Sequence, residues 1–238
     1  MPLLEVEGLT AGYGTLPVLG GISFDVEQGE TAVLLGLNGA GKTTTVLALA
    51  GLIDPWGGRI SFNGNDIASL NARKRVHEGI VLVPEGRHVF PQLSVAQNLR
   101  LGAWPYRRDK EKTRDIVEQA VQYFPRLRER WTQLAGTLSG GEQQMLAIAR
   151  GLMGRPKLLL IDEASLGLSP KLTQTVFEVV NRINDDGVTV FMVEQNAGVL
   201  ELADRAFVME KGTLVYSGAG DDILNHSEIR QAYLGAPA

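Results

Sequence analysis

GLNGAGKTT, residues 36–44, places three glycines within six residues and follows them with Lys42, Thr43 and Thr44. The apolar run TAVLLG (31–36) precedes it, and the helical pattern TTTVLALAGL (43–52) follows. Gly36, Gly41, Lys42 and Thr43 satisfy G-x-x-x-x-G-K-[ST] in the strand–loop–helix context that gives this pattern its meaning. Glycine lets successive backbone N–H groups turn inward without Cβ clashes. Asn38, Gly39, Ala40 and Gly41, with the positive end of the helix, therefore read as a cradle for phosphate oxygens. Lys42 adds a point charge at the terminal phosphates. The Thr43 hydroxyl can ligate Mg²⁺, and Thr44 offers a further phosphate contact.

Outward from this loop, three more short apolar runs read as strands: GIVLVPE (79–85), KLLLIDE (157–163) and VTVFMVE (188–194). Their apolar residues are continuous rather than alternating, which indicates strands covered on both faces. Helical stretches such as EQQMLAIARGLM separate them, so the core is an α/β phosphate-loop fold with a mostly parallel sheet. LLEVEGLTAGYG and ISFDVEQGE alternate and end in Gly-containing turns, which predicts an antiparallel β lobe beside the core. FVMEKGTLVYSG reads as a hairpin turning at Lys211-Gly212. Residues 86–150 break the rhythm, are rich in Arg and Lys, and read as a helical insertion subdomain. The expectation is thus one domain over 1–238, with the core and β lobe in 1–85 and 151–238.

Composition narrows the function. The chain has 238 residues, 44% of them hydrophobic, enough to fill one large core. A net charge of −4 gives no basic field for nucleic acid, and the lack of cysteine excludes disulfides and cysteine-based zinc sites. MPLLEVEGLT lacks the marks of a secretory signal, and no run approaches the ~20 apolar residues of a membrane span. The chain reads as soluble and cytoplasmic, brought to any membrane by another protein.

Two further motifs carry chemistry. Asp162 and Glu163 end an apolar strand, and the carboxyl edge of such a sheet is where ligands bind. Asp162 is placed to hold Mg²⁺, and Glu163 to orient and deprotonate an attacking water. Strand alternation points the two acids in opposite directions. In LSGGEQQMLAIAR (138–150), Ser139 and Glu142 have the spacing of a capping box, with the helix expected to start after Gly141. Gly140 and Gly141 leave that helix N-terminus bare, a second anion site. A dimer could set this site against the partner's nucleotide.

With GLNGAGKTT, LSGGEQ and LLLIDE in this order, the whole chain resembles the ATP-binding subunit of an ABC transporter. The resemblance implies a head-to-tail dimer holding two ATP molecules, each between one phosphate loop and the other subunit's Ser139-Gly140-Gly141. Tyr13 matches the aromatic that stacks on adenine. VPEGRHVFPQLSVAQNL, IDEASLGLSP, MVEQNA and the closing QAYLG are similar to the branched-chain amino acid uptake ATPases. That implies peripheral attachment to the cytoplasmic face of the cell membrane beneath integral-membrane permeases, fed by an external solute-binding protein. The second ATPase subunit is either another copy or a sister chain. The loop from Glu85 to Asn98 would link the nucleotide to the helical insertion, with Val89, Phe90 and Leu93 lining a groove for a permease helix. Urea or short-amide import, lipid export, and a non-transport ABC ATPase are the alternatives.

The sequence departs from the wider family at a few positions. Glu85 stands where a Mg²⁺-sensing glutamine is usual, and Gln195 where a phosphate-contacting histidine is usual. Gly167-Leu168-Ser169 replaces Ala-Leu-Asp, and Ala164 replaces a proline. Glu85 can still ligate Mg²⁺, and Gln195 can donate a hydrogen bond but cannot titrate. Gln195→His is therefore expected to add an inflection to the pH–rate profile near the unperturbed histidine value of ~6.5; superimposable profiles for the two proteins would contradict this.

Overall fold

A computed structural model describes residues 1–225. The closing QAYLG lies outside the described residues. The chain begins with a hairpin, β1 (Leu4–Tyr13) and β2 (Leu16–Val26), and continues into β3 (Thr31–Gly36) and α1 (Lys42–Leu49). β4 (Gly57–Phe62), β5 (Asn65–Asp66), α2 (Ala72–Glu78) and β6 (Ile80–Val83) come next. The helical stretch holds α3 (Val95–Gly102), α4 (Lys110–Tyr123), α5 (Pro125–Glu129) and α6 (Gly140–Leu152). The chain then alternates through β7 (Leu158–Asp162), α7 (Pro170–Asp185) and β8 (Thr189–Glu194). It closes with β9 (Arg205–Glu210), β10 (Thr213–Ala219) and α8 (Gly220–Asn225).

The larger sheet has the order β10-β9-β3-β8-β7-β6, parallel except for the β9–β10 hairpin. The smaller sheet, β2-β1-β4-β5, is antiparallel. β4 and β5 were not foreseen: GGRISF buries only its last three residues and shows no alternation to read. α2 was missed as well, because ARKRVHE is polar except for Ala72 and Val76.

The continuous apolar runs have a direct structural cause. In β3, Ala32 and Leu34 join one core while Val33 and Leu35 join another. Leu158 and Leu160 are likewise split from Leu159 and Ile161, and Phe191 and Val193 from Val190 and Met192. One core lies between the two sheets around α1, where Phe24 stacks on Phe191 at 5.3 Å. The other lies under α3, α4, α6 and α7. α6 belongs to both worlds: Gly151 brings it against Val83 and Leu159, so position 150 falls inside a helix that packs on the core sheet.

A buried arginine ties down the far end of α1. Arg75, 1% exposed, donates from Nη1 to the carbonyls of Ala48 (2.6 Å) and Leu49 (2.8 Å). Its Nε reaches Leu70 O at 2.8 Å and its Nη2 reaches Ala68 O at 3.2 Å. The last carbonyls of a helix lack ordinary intrahelical partners, and this planar fork serves two of those of α1. Arg75→Leu should lose at least ~2 kcal/mol and lower the melting temperature by roughly 4–8 °C, with Arg75→Lys unable to restore it. Thermal denaturation checks this; an unchanged midpoint in Arg75→Leu would contradict it.

Candidate functional site

The parallel sheet delivers the chemistry to one edge. β3 runs into the loop 37–41, β6 into Glu85, β7 into Asp162 and Glu163, and β8 into Gln195. These segments open onto a cleft of about 420 Å³ that Tyr13, Asn38, Gly39, Gly41, Lys42, Thr43 and Thr44 also line. Gly39 and Gly41 have φ of +79° and +111°, and a Cβ on Gly41 would sit 3.0 Å from the Leu19 side chain. No side chain caps the start of α1, so its first N–H groups face the cleft without a protein partner at the cap. Ala40 is buried and anchors the loop, accepting at its carbonyl from the N–H of Gly212 at 2.8 Å. The Tyr13 and Thr44 hydroxyls lie 3.4 Å apart.

A buried ion pair crosses the cleft floor. Lys42 Nζ is 3.0 Å from Glu163 Oε1, with both side chains below 10% exposure, and also donates to Leu37 O at 3.3 Å. The other oxygen, Glu163 Oε2, accepts from Gln195 Nε2 at 2.6 Å. Asp162 Oδ1 accepts from the Thr43 hydroxyl at 3.3 Å. Simple strand alternation would send the two acids to opposite sides, yet both reach the start of α1. The reason is Glu163's φ of +46°, a left-handed turn that swings its side chain back toward the loop.

Two acids here are pushed well above the usual carboxylate range. Burial raises Asp162 to about 6, and the nearby charges of Glu163 and Glu85 add to it. Burial raises Glu194 to about 7 against the bonds it accepts from Ser165.

Ser139, Gly140 and Gly141 do not reach this cleft within one chain. Ser139 and Glu142 form the expected capping box, with the Ser139 N–H donating to Glu142 Oε2 at 2.9 Å. The helix starts two residues earlier than expected, at Gly140 rather than after Gly141. Packing within the chain accounts for part of the double glycine. A Cβ on Gly140 would come within 2.9 Å of the Arg87 guanidinium, and one on Gly141 within 2.9 Å of Leu172. Arg87 was overlooked in the sequence. It sits in a run of positive φ, Gly86 +82°, Arg87 +67° and His88 +44°, whose visible signal was only the glycine. The contact between Glu194 and Ser165 was also missed, because a glutamate closing an apolar strand carries no spacing that points to a partner.

A model described as ABC transporter matches residues 19–166, a span that contains the phosphate loop, Ser139-Gly140-Gly141 and both acids. The chain belongs to the ABC transporter family. This ABC chain is 44% identical to the high-affinity branched-chain amino acid transport ATP-binding protein BraG of Pseudomonas aeruginosa, over 98% of its own length and 100% of the relative's. It is 30% identical to the lipopolysaccharide export system ATP-binding protein LptB of Haemophilus influenzae, over 99% and 98%. The crystal structure of an ATP-binding cassette of an ABC transporter in its ADP conformation superposes with a TM-score of 0.87 at 25% identity, covering 99% of this chain and 100% of that one. The chain is accordingly a nucleotide-binding ABC ATPase. No helix among the described residues is long and apolar enough to cross a membrane.

The raised acids give this ATPase a pH signature. Glu194 binds its proton more tightly folded than unfolded, so its contribution to stability is complete below about pH 4.5 and is lost as pH rises through 7. Glu194→Gln should therefore lose less stability than wild type between pH 5 and pH 8, by up to ~3 kcal/mol. Denaturant unfolding across that range checks it, and parallel pH slopes for the two proteins would contradict it.

Proposed function

We propose that this chain powers import of branched-chain amino acids by hydrolysing Mg-ATP at the cleft described above. The observation that carries the reading is the Lys42–Glu163–Gln195 array at the end of the phosphate loop. The N–H groups of Asn38, Gly39 and Gly41 and the uncapped end of α1 hold the phosphates, and that of Ala40, which donates to Leu37 O at 3.1 Å, joins them only by giving up that bond. Lys42 takes the terminal phosphate, which competes with Glu163 for its charge. Glu163, released from Lys42, accepts the proton of the attacking water at a carboxylate oxygen. Gln195 keeps the other Glu163 oxygen in place and donates an amide hydrogen toward the charge that develops. Thr44 adds a phosphate contact, and Tyr13, half exposed at the cleft mouth, offers its ring to adenine.

The donor set fits Mg²⁺. The Thr43 hydroxyl and the Asp162 carboxylate are already joined, and Glu85 lines the same cleft, giving the hard oxygen ligands this ion takes beside phosphates and water. When bound, the ion neutralises charge on the phosphate oxygens. Its positive field would also favour the ionised form of the buried Asp162.

Ser139, Gly140 and Gly141 serve the nucleotide of a second ATPase subunit, a copy of this chain or a sister. Residues 86–150 act as a helical subdomain that carries the resulting motion to integral-membrane permeases at the cytoplasmic face, themselves fed by an external solute-binding protein. A groove of about 900 Å³ between α2, α3 and α6 suits a permease helix. Phe90 lines it; Val89 instead packs on the core, and Leu93 does not line the groove, which corrects the expectation for these two residues. Asn98, fully buried, staples the connecting loop by bonding Phe90 N and O, Leu93 O and Ser94 O at 2.9–3.2 Å. The cargo follows from the higher likeness to BraG, 44% against 30% for the lipopolysaccharide exporter.

Glu163→Gln is expected to retain ATP while kcat falls by about 10²–10⁴. Lys42→Ala should instead weaken nucleotide binding. Steady-state kinetics with a fluorescent-nucleotide titration checks both; undiminished turnover by Glu163→Gln would remove Glu163 as the base. Cells lacking this chain should take up leucine, isoleucine and valine poorly, and normal uptake of all three would overturn the cargo assignment.

A further inference from the structure

We propose that Glu194 and Ser165 are positioning residues that lace the two catalytic loops together and so fix Glu163 against Gln195. The proposal rests on the assignment of Glu163 as base and Gln195 as its partner. Neither Glu194 nor Ser165 lines the cleft.

Three sets of bonds join residues 163–165 to residues 193–195. The Glu163 N–H donates to Val193 O at 2.9 Å. The Ser165 N–H donates to Glu194 Oε1 at 3.0 Å, and the Ser165 hydroxyl to Glu194 Oε2 at 2.6 Å. Gln195 Nε2 closes the ring on Glu163 Oε2 at 2.6 Å. Ser165 is two residues from Glu163, and Glu194 adjoins Gln195, so the rung they form sits directly behind the reacting pair.

Glu194 is costly where it stands. It is 1% exposed and ends a strand whose preceding residues, Val190 to Val193, are all fully buried and apolar. An apolar residue would pack there without the desolvation penalty of a carboxylate. A carboxylate instead supplies two oxygens for the two converging Ser165 donors. The constraint is needed because Glu163 holds a left-handed φ of +46°, a strained conformation that persists only where the surroundings over-determine it. With the rung cut, the Glu163 turn keeps its N–H bond to Val193 O and the bond its carbonyl accepts from Leu166 N–H at 3.2 Å, but only side chains that must also move during catalysis hold the carboxylate itself against Gln195. Small misplacements of a reacting group are costly in rate.

The test compares Glu194→Ala, Glu194→Gln and Ser165→Ala with wild type, as the full chain and as the complex purified with its membrane partners. Mg-ATP turnover is measured over a range of ATP concentrations. Glu194→Ala should lower kcat by roughly 10–100-fold with KM changed less than about threefold, since the phosphate loop is untouched. Glu194→Gln should return to within about fivefold of wild type, because its amide oxygen accepts the Ser165 N–H and its NH₂ donates to the Ser165 oxygen. Ser165→Ala, on a partly exposed turn that tolerates a small side chain, should lower kcat by about three- to tenfold and keeps the test informative if Glu194→Ala does not fold. The proposal is overturned if Ser165→Ala and Glu194→Ala both turn over within about twofold of wild type, or if the loss appears in KM with kcat unchanged. It also fails if Glu194→Gln is as impaired as Glu194→Ala. Failure of the underlying base assignment would show elsewhere, as undiminished turnover by Glu163→Gln.

Discussion

The ion pair between Lys42 and Glu163 is the interaction on which the rest of the site depends. Two opposite charges lie 3.0 Å apart with almost no access to solvent. Taking either one away leaves the other buried without compensation, a severe penalty in a medium of low polarity. An incoming anion that satisfies Lys42 therefore frees Glu163 at the same moment. In the proposed mechanism, recognition of the terminal phosphate and activation of the water are coupled through one lysine. The topology makes this possible, since β3, β8, β7 and β6 are consecutive in the sheet and end on the same side. Residues more than a hundred positions apart in sequence meet because their strands are neighbours.

Much of this was legible before any coordinates. The four apolar runs became strands because residues of each strand serve two cores, and that requirement leaves no polar position to interrupt the run. The phosphate loop was readable because its glycines and lysine have a local geometric reason. The hairpin at Lys211-Gly212 formed as read, with both residues at positive φ. What stayed hidden was long-range. Nothing in ARKRVHE shows that the second of its two arginines, Arg75, would cap α1, because the acceptors are backbone carbonyls that any sequence provides. The alternation rule misdirected Asp162 and Glu163, because it assumes extended backbone and Glu163 turns left-handed. The rung between Ser165 and Glu194 spans 29 residues and has no periodic signature.

The fold also separates tasks in space. The cleft is the place proposed for phosphate chemistry, the start of α6 presents a second face, and the groove beside α2 and α3 offers a third. α6 connects the last two, since its first residues pack on Arg87 and Leu172 while Arg150, near its end, donates to His88 O at 2.8 Å in the loop that leaves Glu85. A displacement of the Glu85 loop would thus be felt at both ends of one helix. Rigid secondary elements with shared contacts are the physical means by which such coupling travels.

The most direct measure of the central claim is the affinity for ATP with and without the Glu163 charge. If Glu163 and the terminal phosphate compete for Lys42, titration calorimetry should find ATP bound several-fold more tightly by Glu163→Gln than by wild type, with ADP affected much less. Equal or weaker ATP binding by that variant would mean the ion pair does not oppose the phosphate, and the coupling described here would not hold.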